Sequence, residues 1–401
     1  MNRHPPGFVV RHTRVVLPDR VLADACVRVE GGRIVAVEPD TPATLAGSDR
    51  VIDAKGMLTA PGFVDVHCHG DSERRFLDAP ESVALALLRQ GTTTVLATIS
   101  YADMVADLVE QLRHFDTALG SWGSEVVAGF HLEGPYVNRK YGAQTTRGLI
   151  KAPDEPEYRA LLAASGRRIK WWTCAPELPG ALAFIRAATA AGGVVGAGHS
   201  EATPEELAAA VAAGLKVAIH WSNATGNPRA ARYLGTRCPG IDEAVLVDDT
   251  LSAEIIADEN GLHVHPLMAR LLYKAKGPDR ILLITDAAYR RADDPPDPPG
   301  PPRDVSIDRD GNLAGSRLTM AGAARNFRAA TGCPLPELFR MAATNAARLL
   351  GLGAETGSIE LGKRADLVIL DDALKVQRVF LRGREVPRET APHPSVNAPW
   401  S

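Results

Sequence analysis

The chain has 401 residues, of which 45% are hydrophobic, and a formal net charge of −3. This length is too great for one ordinary core unless that core is a barrel, so we expect one large α/β domain with a smaller module. Because the basic residues are dispersed, the charge pattern argues against nucleic acid or an anionic membrane as a partner. A protein that acts on small molecules is favoured.

The five cysteines are scattered and include no C-x-x-C pair. Neither a disulfide framework nor a cysteine zinc cluster is therefore expected, and a reducing compartment fits. The first residues lack the apolar run of a secretion signal, and no run reaches the length of a membrane span. We expect a soluble, cytoplasmic protein.

Short β-like runs open and close the chain. The first group lies between residues 8 and 58, where Gly31-Gly32 between two alternating runs predicts a hairpin. The second group lies between residues 365 and 386. Neither group is large enough to bury a core alone, so we predict one small β-sandwich domain made of residues 1–60 and 352–401.

Between the two ends, apolar strand-like runs alternate with helical segments over residues 61–351. This pattern predicts parallel strands covered by helices. Eight runs can be counted, at residues 62–67, 93–99, 126–132, 169–174, 193–197, 216–220, 251–257 and 281–286. Eight parallel strands are typical of a (β/α)8 TIM-type barrel, and this is the fold predicted for the catalytic domain of an α/β protein.

Helix signals are clearest at residues 207–213 and 334–350. The first helix is preceded by Thr203 and Glu206, which have the spacing of a capping box. The proline-rich segment 293–302 follows the eighth run and suits neither helix nor strand. It is interpreted as a loop, and a surface excursion is favoured over a lid.

Histidines and acids stand at the ends of several runs. His67 and His69 end the first run, and residues two apart on an extended chain face the same way, so both imidazoles can face one metal. The others are Glu133, His199, His220 and Asp286, at the ends of the third, fifth, sixth and eighth runs. One such residue would more often be structural, but the carboxyl ends of barrel strands open on one face, so all six are expected to converge. Nitrogen and oxygen ligands without thiolate suit Zn²⁺, Fe²⁺, Mn²⁺ or Co²⁺.

Seven motifs together resemble the N-acetylglucosamine-6-phosphate deacetylases of the amidohydrolase superfamily. They are Pro61-Gly-Phe-Val-Asp-Val-His-Cys-His-Gly70, His131-Leu-Glu-Gly-Pro135, Gly198-His-Ser200, His220-x-x-Asn-Ala224, Gly261-Leu-His263, Thr285-Asp-Ala287 and Gly315-Ser-x-Leu-Thr-Met320. The closing segment 357–370 is similar to the C-terminal signature of the superfamily. The resemblance spans nearly the whole chain and implies the same barrel, with a sandwich made from both chain ends.

The resemblance also implies a metal-dependent amide hydrolase. The ligands of the main ion would be Glu133, His199 and His220. His67 and His69 are both present, which allows a second ion bridged through Glu133. Asp286 would be the general acid and base beside the metal. One or two divalent ions per chain are expected, with Zn²⁺ as the first choice and Fe²⁺, Mn²⁺ or Co²⁺ as alternatives.

For the substrate, the resemblance implies an N-acetyl-hexosamine 6-phosphate, with N-acetyl-D-glucosamine 6-phosphate as the first choice. Its contacts would be Ala143, Gln144, Asn223, Ala224, Arg237, His263, Leu313, Ala314 and Gly315. A guanidinium such as that of Arg237 suits phosphate through its bidentate fork. In family members the matching arginine can be lent by a neighbouring subunit, so a homodimer is implied.

Two positions depart from the family pattern. Gln144 stands where a histidine is usual, and Thr225 stands where a methionine is usual. These changes leave the metal ligands intact but bear on the choice of sugar. Two alternative functions stay open, namely another amidohydrolase or deaminase acting on a different N-acyl or cyclic amide, and a non-catalytic sugar-phosphate-binding protein. The complete ligand set weighs against the second, because binding alone needs no activated water.

Overall fold

The computed structural model describes residues 7–41, 50–104, 107–143, 148–165, 168–229, 233, 235–289 and 304–387. The strands within these residues are β1 Phe8–Val16, β2 Val21–Glu30, β3 Arg33–Pro39, β4 Val51–Asp53, β5 Leu58–Pro61, β6 Phe63–Ser72, β7 Thr92–Ser100, β8 Val127–Glu133, β9 Ile169–Cys174, β10 Val194–Ala197, β11 Val217–Ala218, β12 Ser252–Ile256, β13 Ile281–Ile284, β14 Ala287–Tyr289, β15 Val305–Ile307, β16 Leu313–Ser316, β17 Leu367–Leu370, β18 Val376–Leu381 and β19 Arg384–Glu385.

The helices lie mostly between the strands of the central region. They are α1 Pro80–Arg89, α2 Leu108–Ala118, α3 Gly123–Val126, α4 Glu155–Ala164, α5 Ala181–Ala190, α6 Pro204–Ala212, α7 Ile241–Val247, α8 Pro266–Lys276, α9 Met320–Thr331, α10 Leu335–Phe339 and α11 Asn345–Leu349. A 3₁₀ turn covers Pro278–Arg280. Across the described part of the chain, every helix is too short or too polar to span a membrane.

Eight parallel strands, β6 to β13, lie side by side in chain order and correspond to the eight predicted runs. The ring closes through the continuation of the eighth strand. After β13 the chain passes Thr285 and enters β14, where Ala287 pairs in parallel with Cys68 of β6. The backbone N–H of Asp286 donates to the carbonyl of His67 at 2.8 Å. The predicted barrel is confirmed.

Each barrel strand is buried on both faces. Trp172 packs with helix residues such as Phe184 in the layer between strands and helices. Its neighbour Trp171 belongs to a second apolar cluster on the opposite face, because successive side chains of a strand point to opposite sides. That inner face also carries His131, whose ring lies 6.3 Å from Trp171. The inner face of the barrel therefore carries both polar and apolar side chains.

The two chain ends pair into one eight-stranded sheet, as predicted. Its order is β19-β18-β17-β5-β1-β2-β3, and β4 pairs with β1. The hairpin at Gly31-Gly32 is confirmed, since both glycines have positive φ and Glu30 pairs with Arg33. Phe8 and Phe380, from opposite ends of the chain, stack with ring centroids 5.0 Å apart. The domain boundaries at residues 60 and 352 stay a prediction.

The two predicted helices are found with one difference. Thr203 and Glu206 form the expected capping box before α6, with the Thr203 hydroxyl accepting from the Glu206 N–H at 3.2 Å. The helix predicted over 334–350 is interrupted by a π-helical turn at Arg340–Thr344, between α10 and α11. Residues 293–302, predicted as a loop, lie outside the described residues.

Candidate metal centre

The six predicted residues meet at the carboxyl ends of the barrel strands. His67 and His69 are on β6 and Glu133 ends β8. The other three follow β10, β11 and β13 in the left-handed region, with φ of 48° at His199, 30° at His220 and 48° at Asp286. Residues other than glycine rarely adopt this backbone conformation, and those that do are often found at functional sites. It turns the chain sharply at each strand exit.

Glu133 lies at the centre of the group. Its Oε1 is 2.8 Å from Nε2 of His199, 3.4 Å from Nε2 of His220 and 3.4 Å from Nε2 of His67. Its Oε2 is 3.4 Å from Nε2 of His69. The two imidazole nitrogens of His199 and His220 are 3.2 Å apart. One carboxylate is thus shared between two sets of histidines.

Asp286 stands on the side of the first-strand histidines. Its Oδ1 is 3.1 Å from Nε2 of His69 and 3.6 Å from Nε2 of His67. Its side chain is nearly buried but lines the cavity described below. A carboxylate in this position can reach both the metal ligands and a molecule in the cavity.

The side chains fit divalent cations. Two sets have all their donor atoms within 4.8 Å of one another, His67 with His69 and Glu133, and Glu133 with His199 and His220. Nε2 of His67 is buried and has no hydrogen-bond partner among the described residues. Imidazole and carboxylate donors without thiolate are typical of catalytic Zn²⁺ and related ions. The donor set therefore suits one ion in each group, with Glu133 common to both.

The electrostatics of the site favour positive charge. Burial lowers the pKa of His67, but the carboxylates of Asp286, Glu133 and Glu254 outweigh it and hold this pKa well above its usual value. Burial raises the pKa of Glu133, but the imidazoles of His199, His220 and His67 around it outweigh burial, and the pKa lies well below its usual range. For Asp286, burial is likewise outweighed by His67 and His69, so its pKa is lowered. Both carboxyl groups are ionised at neutral pH.

Backbone carbonyls fix two of the histidines. Nδ1 of His199 is 3.1 Å from the carbonyl of Tyr141, and Nδ1 of His220 is 3.0 Å from the carbonyl of Asn223. Because a carbonyl can only accept, each Nδ1 carries the proton and each Nε2 presents a lone pair towards Glu133. Gly142 allows the first of these contacts, since a Cβ there would lie 2.3 Å from Nδ1 of His199.

A cavity of about 400 Å³ opens above these residues. Predicted substrate contacts that line it are Ala143, Asn223, Ala224, Leu313, Ala314 and Gly315. Residues not predicted also line it, among them Tyr101, Tyr141 and Tyr289. Among the described lining residues Lys140 is the only lysine or arginine, and its Nζ is 2.5 Å from Glu201. The cavity is polar and of a size for a small molecule.

Two of the predicted contacts do not line this cavity, and a third lies outside the described residues. Arg237 is exposed and does not line the cavity of its own chain. His263 is buried, with its N–H and ring nitrogen directed at Asp258 within 3.2 Å, so a local turn holds it away from the cavity. Gln144 lies outside the described residues. The substrate roles of all nine predicted residues stay predictions.

Comparison with known proteins decides the family. The amidohydrolase family matches residues 58–386. The chain belongs to the amidohydrolase family. The resemblance predicted from the motifs is thereby confirmed.

Within the family, the similar curated proteins are deacetylases of amino-sugar phosphates. The chain is 33% identical over 353 residues to N-acetylglucosamine-6-phosphate deacetylase of Lysinibacillus sphaericus, covering 83% of this chain and 86% of the relative. It is 32% identical over 398 residues to N-acetylgalactosamine-6-phosphate deacetylase of Escherichia coli O157:H7, covering 94% and 98%.

Solved structures of the family have the same fold. A Mycobacterium smegmatis N-acetyl-D-glucosamine-6-phosphate deacetylase mutant, in complex with N-acetyl-D-glucosamine-6-phosphate, superposes with a TM-score of 0.79 at 31% identity, covering 95% of this chain and 100% of that chain. N-acetylglucosamine-6-phosphate deacetylase of Thermotoga maritima superposes with a TM-score of 0.79 at 32% identity, with the same coverage.

Two buried residues beside the candidate ligands were not singled out from the sequence. Glu254 on β12 is fully buried, and its Oε2 is 3.0 Å from Nδ1 of His67. Asp65 on β6 is buried and accepts from the Thr285 hydroxyl at 2.6 Å, which ties the first strand to the eighth. The available signal was a carboxylate inside each of two otherwise apolar runs.

His131 is a histidine of a different kind. Its ring nitrogens are satisfied by the carbonyl of Val66 at 3.2 Å and the hydroxyl of Thr173 at 2.9 Å. Burial, together with the neighbouring His67, lowers the pKa of His131 well below its usual value. It is a neutral core residue that packs edge-on against His67, and it belongs to neither candidate ligand set.

Proposed function

We propose that the chain removes the acetyl group from an N-acetyl-hexosamine 6-phosphate, with N-acetyl-D-glucosamine 6-phosphate as the first substrate, in a metal-dependent hydrolysis. The observation that carries this proposal is the convergence of Glu133, His199, His220 and Asp286 at the floor of one polar cavity. The activities of the similar proteins support the substrate class. The products are acetate and the amino-sugar phosphate.

Glu133, His199 and His220 would hold the main cation, and His67 and His69 with Glu133 would hold a second. Zn²⁺ is our first choice, with Fe²⁺, Mn²⁺ and Co²⁺ as alternatives, because the donors are nitrogen and oxygen. A divalent cation in this place supplies Lewis-acid activation of a water molecule and of the acetyl carbonyl.

Asp286 handles the proton. Its lowered pKa keeps it ionised near neutral pH, so it can accept the proton of the attacking water. The oxygen of that water bonds to the acetyl carbon and the carbon–nitrogen bond breaks. Asp286 then gives the proton to the departing nitrogen, because an amine anion is too basic to leave unprotonated. Oδ1 of Asp286 lies 3.1 Å from Nε2 of His69, so this carboxylate is placed beside the second ligand set.

The phosphate would be met by cations at the cavity rim. Lys140 lines the cavity and can exchange its contact with Glu201 for a phosphate oxygen. Arg237 is exposed on its own chain, which suits our proposal that a homodimer lends it to the neighbouring cavity. We place the enzyme in the cytoplasm, in keeping with five cysteines that form no disulfide with one another.

The test is an acetate-release assay. Purified protein loaded with Zn²⁺, Fe²⁺ or Mn²⁺ is offered N-acetylglucosamine 6-phosphate, N-acetylgalactosamine 6-phosphate and unphosphorylated N-acetylglucosamine. Acetate from a 6-phosphate substrate is the expected result, and the ratio between the two sugars decides the epimer, which the relatives leave open. Acetate from the unphosphorylated sugar alone would contradict the phosphate role of Lys140 and Arg237. No acetate from any of them would favour a different amide substrate.

The lending of Arg237 between subunits has its own test. Arg237→Ala and Asp286→Asn are each expected to be weakly active, one lacking a phosphate contact and the other the acid and base. If each cavity is completed by the neighbouring chain, mixing the two variants gives hybrid dimers with one cavity that has both residues. Recovery of activity on mixing supports the arrangement, and its absence with proven subunit exchange contradicts it.

A further inference from the structure

Glu254 is a buried carboxylate that the mechanism above does not use. It lies on β12, and its side chain is fully buried. The only other polar residue of this strand is Ser252. Burying an ionised group without partners is costly, so a buried carboxylate is normally paired or hydrogen-bonded. Its partners therefore show what it does.

Both partners belong to the candidate metal centre. Oε2 of Glu254 is 3.0 Å from Nδ1 of His67 and 3.3 Å from the backbone N–H of His220. The carbonyl of Glu254 accepts from the N–H of Trp221 at 2.8 Å. One residue thus connects the strand that carries the first-strand histidines with the turn that carries His220.

The contact with His67 decides which nitrogen faces the cation position. A carboxylate can only accept, so Nδ1 of His67 carries a proton and Nε2 is directed towards Glu133 and Asp286, at 3.4 Å and 3.6 Å. Nε2 is buried and has no hydrogen-bond partner within the described ranges. A carboxylate that fixes a histidine in this way orients a metal ligand and raises its basicity.

Two other histidines of the centre are supported differently. His199 and His220 are held through Nδ1 by backbone carbonyls, of Tyr141 and Asn223. A charged acceptor makes a stronger hydrogen bond than a neutral one. Of these three histidines, His67 is the one whose Nδ1 is held by a carboxylate, and it belongs to the second ligand set.

We propose that Glu254 is a positioning residue that holds the imidazole of His67 for a second divalent cation, shared with His69 and Glu133. This inference rests on the proposed metal-dependent function. We expect Glu254 to affect the second ion more than the main ion, because it contacts the imidazole of His67 but only the backbone N–H of His220.

The experiment counts cations rather than turnover. Metal-free protein is titrated with Zn²⁺ alone, and bound metal is measured by calorimetry and by elemental analysis after equilibrium dialysis. Wild-type protein is expected to bind two ions of different affinity. Glu254→Ala is expected to weaken the second ion by about 10- to 100-fold and to leave the first within a few-fold of wild type.

Two further variants keep the test sharp if Glu254→Ala folds poorly. Glu254→Gln retains an oxygen that can accept from Nδ1, so it is expected to keep most of the second ion's affinity. Glu254→Asp keeps the charge but shortens the side chain by one methylene, so it is expected to lose that affinity. Asp366→Asn, in the sheet made by the chain ends, removes a buried carboxylate far along the chain from any ligand and should leave both affinities unchanged.

Two results would overturn the proposal. The first is a Glu254→Ala or Glu254→Asp variant that binds both ions as wild type does. The second is a wild-type protein that binds only one ion, which would leave His67 with no cation to ligate. Neither result depends on acetate release, and a one-ion enzyme that hydrolyses the substrate would leave the proposed function standing.

Discussion

Two carboxyl groups are buried in different parts of the molecule, and their pKa values are shifted in opposite directions. Asp366, in the sheet of the chain ends, accepts from the Thr356 hydroxyl at 2.9 Å and the Arg382 N–H at 2.8 Å, and forms an ion pair with Arg364 at 3.2 Å. Burial nevertheless raises its pKa. Glu133, in the barrel, is surrounded by imidazoles that hold its pKa well below the usual range.

This difference fits our proposal that Asp366 is a structural carboxylate and Glu133 a metal ligand. The partners of Asp366 are fixed groups of the fold, so its contacts are complete without any ligand. Around Glu133 several imidazole nitrogens converge on one oxygen, and Nε2 of His67 has no hydrogen-bond partner in the described part of the chain. A divalent cation satisfies convergent lone pairs of this kind together. Changes in the two regions should therefore affect different measurements.

The largest effect is expected at Asp286. Asp286→Asn removes the group that accepts and returns the proton, so kcat is expected to fall by about 10²- to 10⁴-fold. The Glu133 set does not include Asp286, so the main ion should stay bound. Acetate release and bound metal are measured on the same sample.

Asp372→Asn serves as the matched control, because Asp372 is an exposed member of an ion pair with Arg14 at the chain ends. It should change neither quantity. Loss of the main ion from Asp286→Asn would show that Asp286 is a required ligand rather than the acid and base.

A smaller effect is expected at Gly142, which tests the support of His199. Gly142→Ala places a methyl group 2.3 Å from Nδ1 of His199 at a positive φ of 101°. The imidazole must move, and the affinity for the main ion is expected to fall by about 10- to 100-fold. Isothermal titration with Zn²⁺ measures it.

Gly192→Ala is the control for backbone strain. Gly192 also has positive φ, at 88°, but no atom lies within 4 Å of the position that its Cβ would take. It should lower stability without changing metal affinity. Equal losses of affinity in both variants would mean that strain, and not the contact with His199, is responsible.

The sequence predicted the barrel, and it predicted that six candidate ligands would meet at the strand ends, because both follow from local patterns. Eight apolar runs marked the strands, and His67, His199 and Asp286 stood at the ends of three of them. Glu254 could not be assigned in this way, since it lies inside a run and its partner His67 is 187 residues away. A contact across the ring depends on the register of the strands, which a single sequence does not specify.

The structure brings the predicted metal ligands together, but it places only some of the predicted substrate contacts at the cavity. His263 belongs to a motif of the family, yet a turn at Asp258 holds its ring out of the cavity. Tyr101 and Tyr289 line the cavity although no pattern marked them. Loop residues are placed by tertiary contacts, whereas ligands at strand ends are placed by the strands themselves.

A stability effect without a metal effect is expected at Asp366. Asp366→Asn breaks the ion pair with Arg364 and weakens the contacts with Thr356 and Arg382, so the free energy of unfolding is expected to fall by about 1–3 kcal/mol. Zn²⁺ affinity should equal that of wild type, because no ligand touches this residue. Urea unfolding and metal titration are compared. A change in metal affinity would break the separation between the two regions.

The smallest expected effect is the pH dependence of the stability lost in Asp366→Asn. Because burial raises the pKa of Asp366, the folded protein binds this proton more tightly than the unfolded chain. The stability contributed by the protonated group is then lost as pH rises from about 4, the value for an unfolded chain, through the folded value. Asparagine cannot titrate, so the destabilisation caused by Asp366→Asn should be smaller at pH 7.5 than at pH 4.5. Urea unfolding with a chelator present, so that metal binding does not contribute, measures both. If the stability lost in Asp366→Asn grows with pH, the neighbouring arginines lower the pKa of Asp366 by more than burial raises it. The histidines around Glu133 have this effect on the pKa of Glu133.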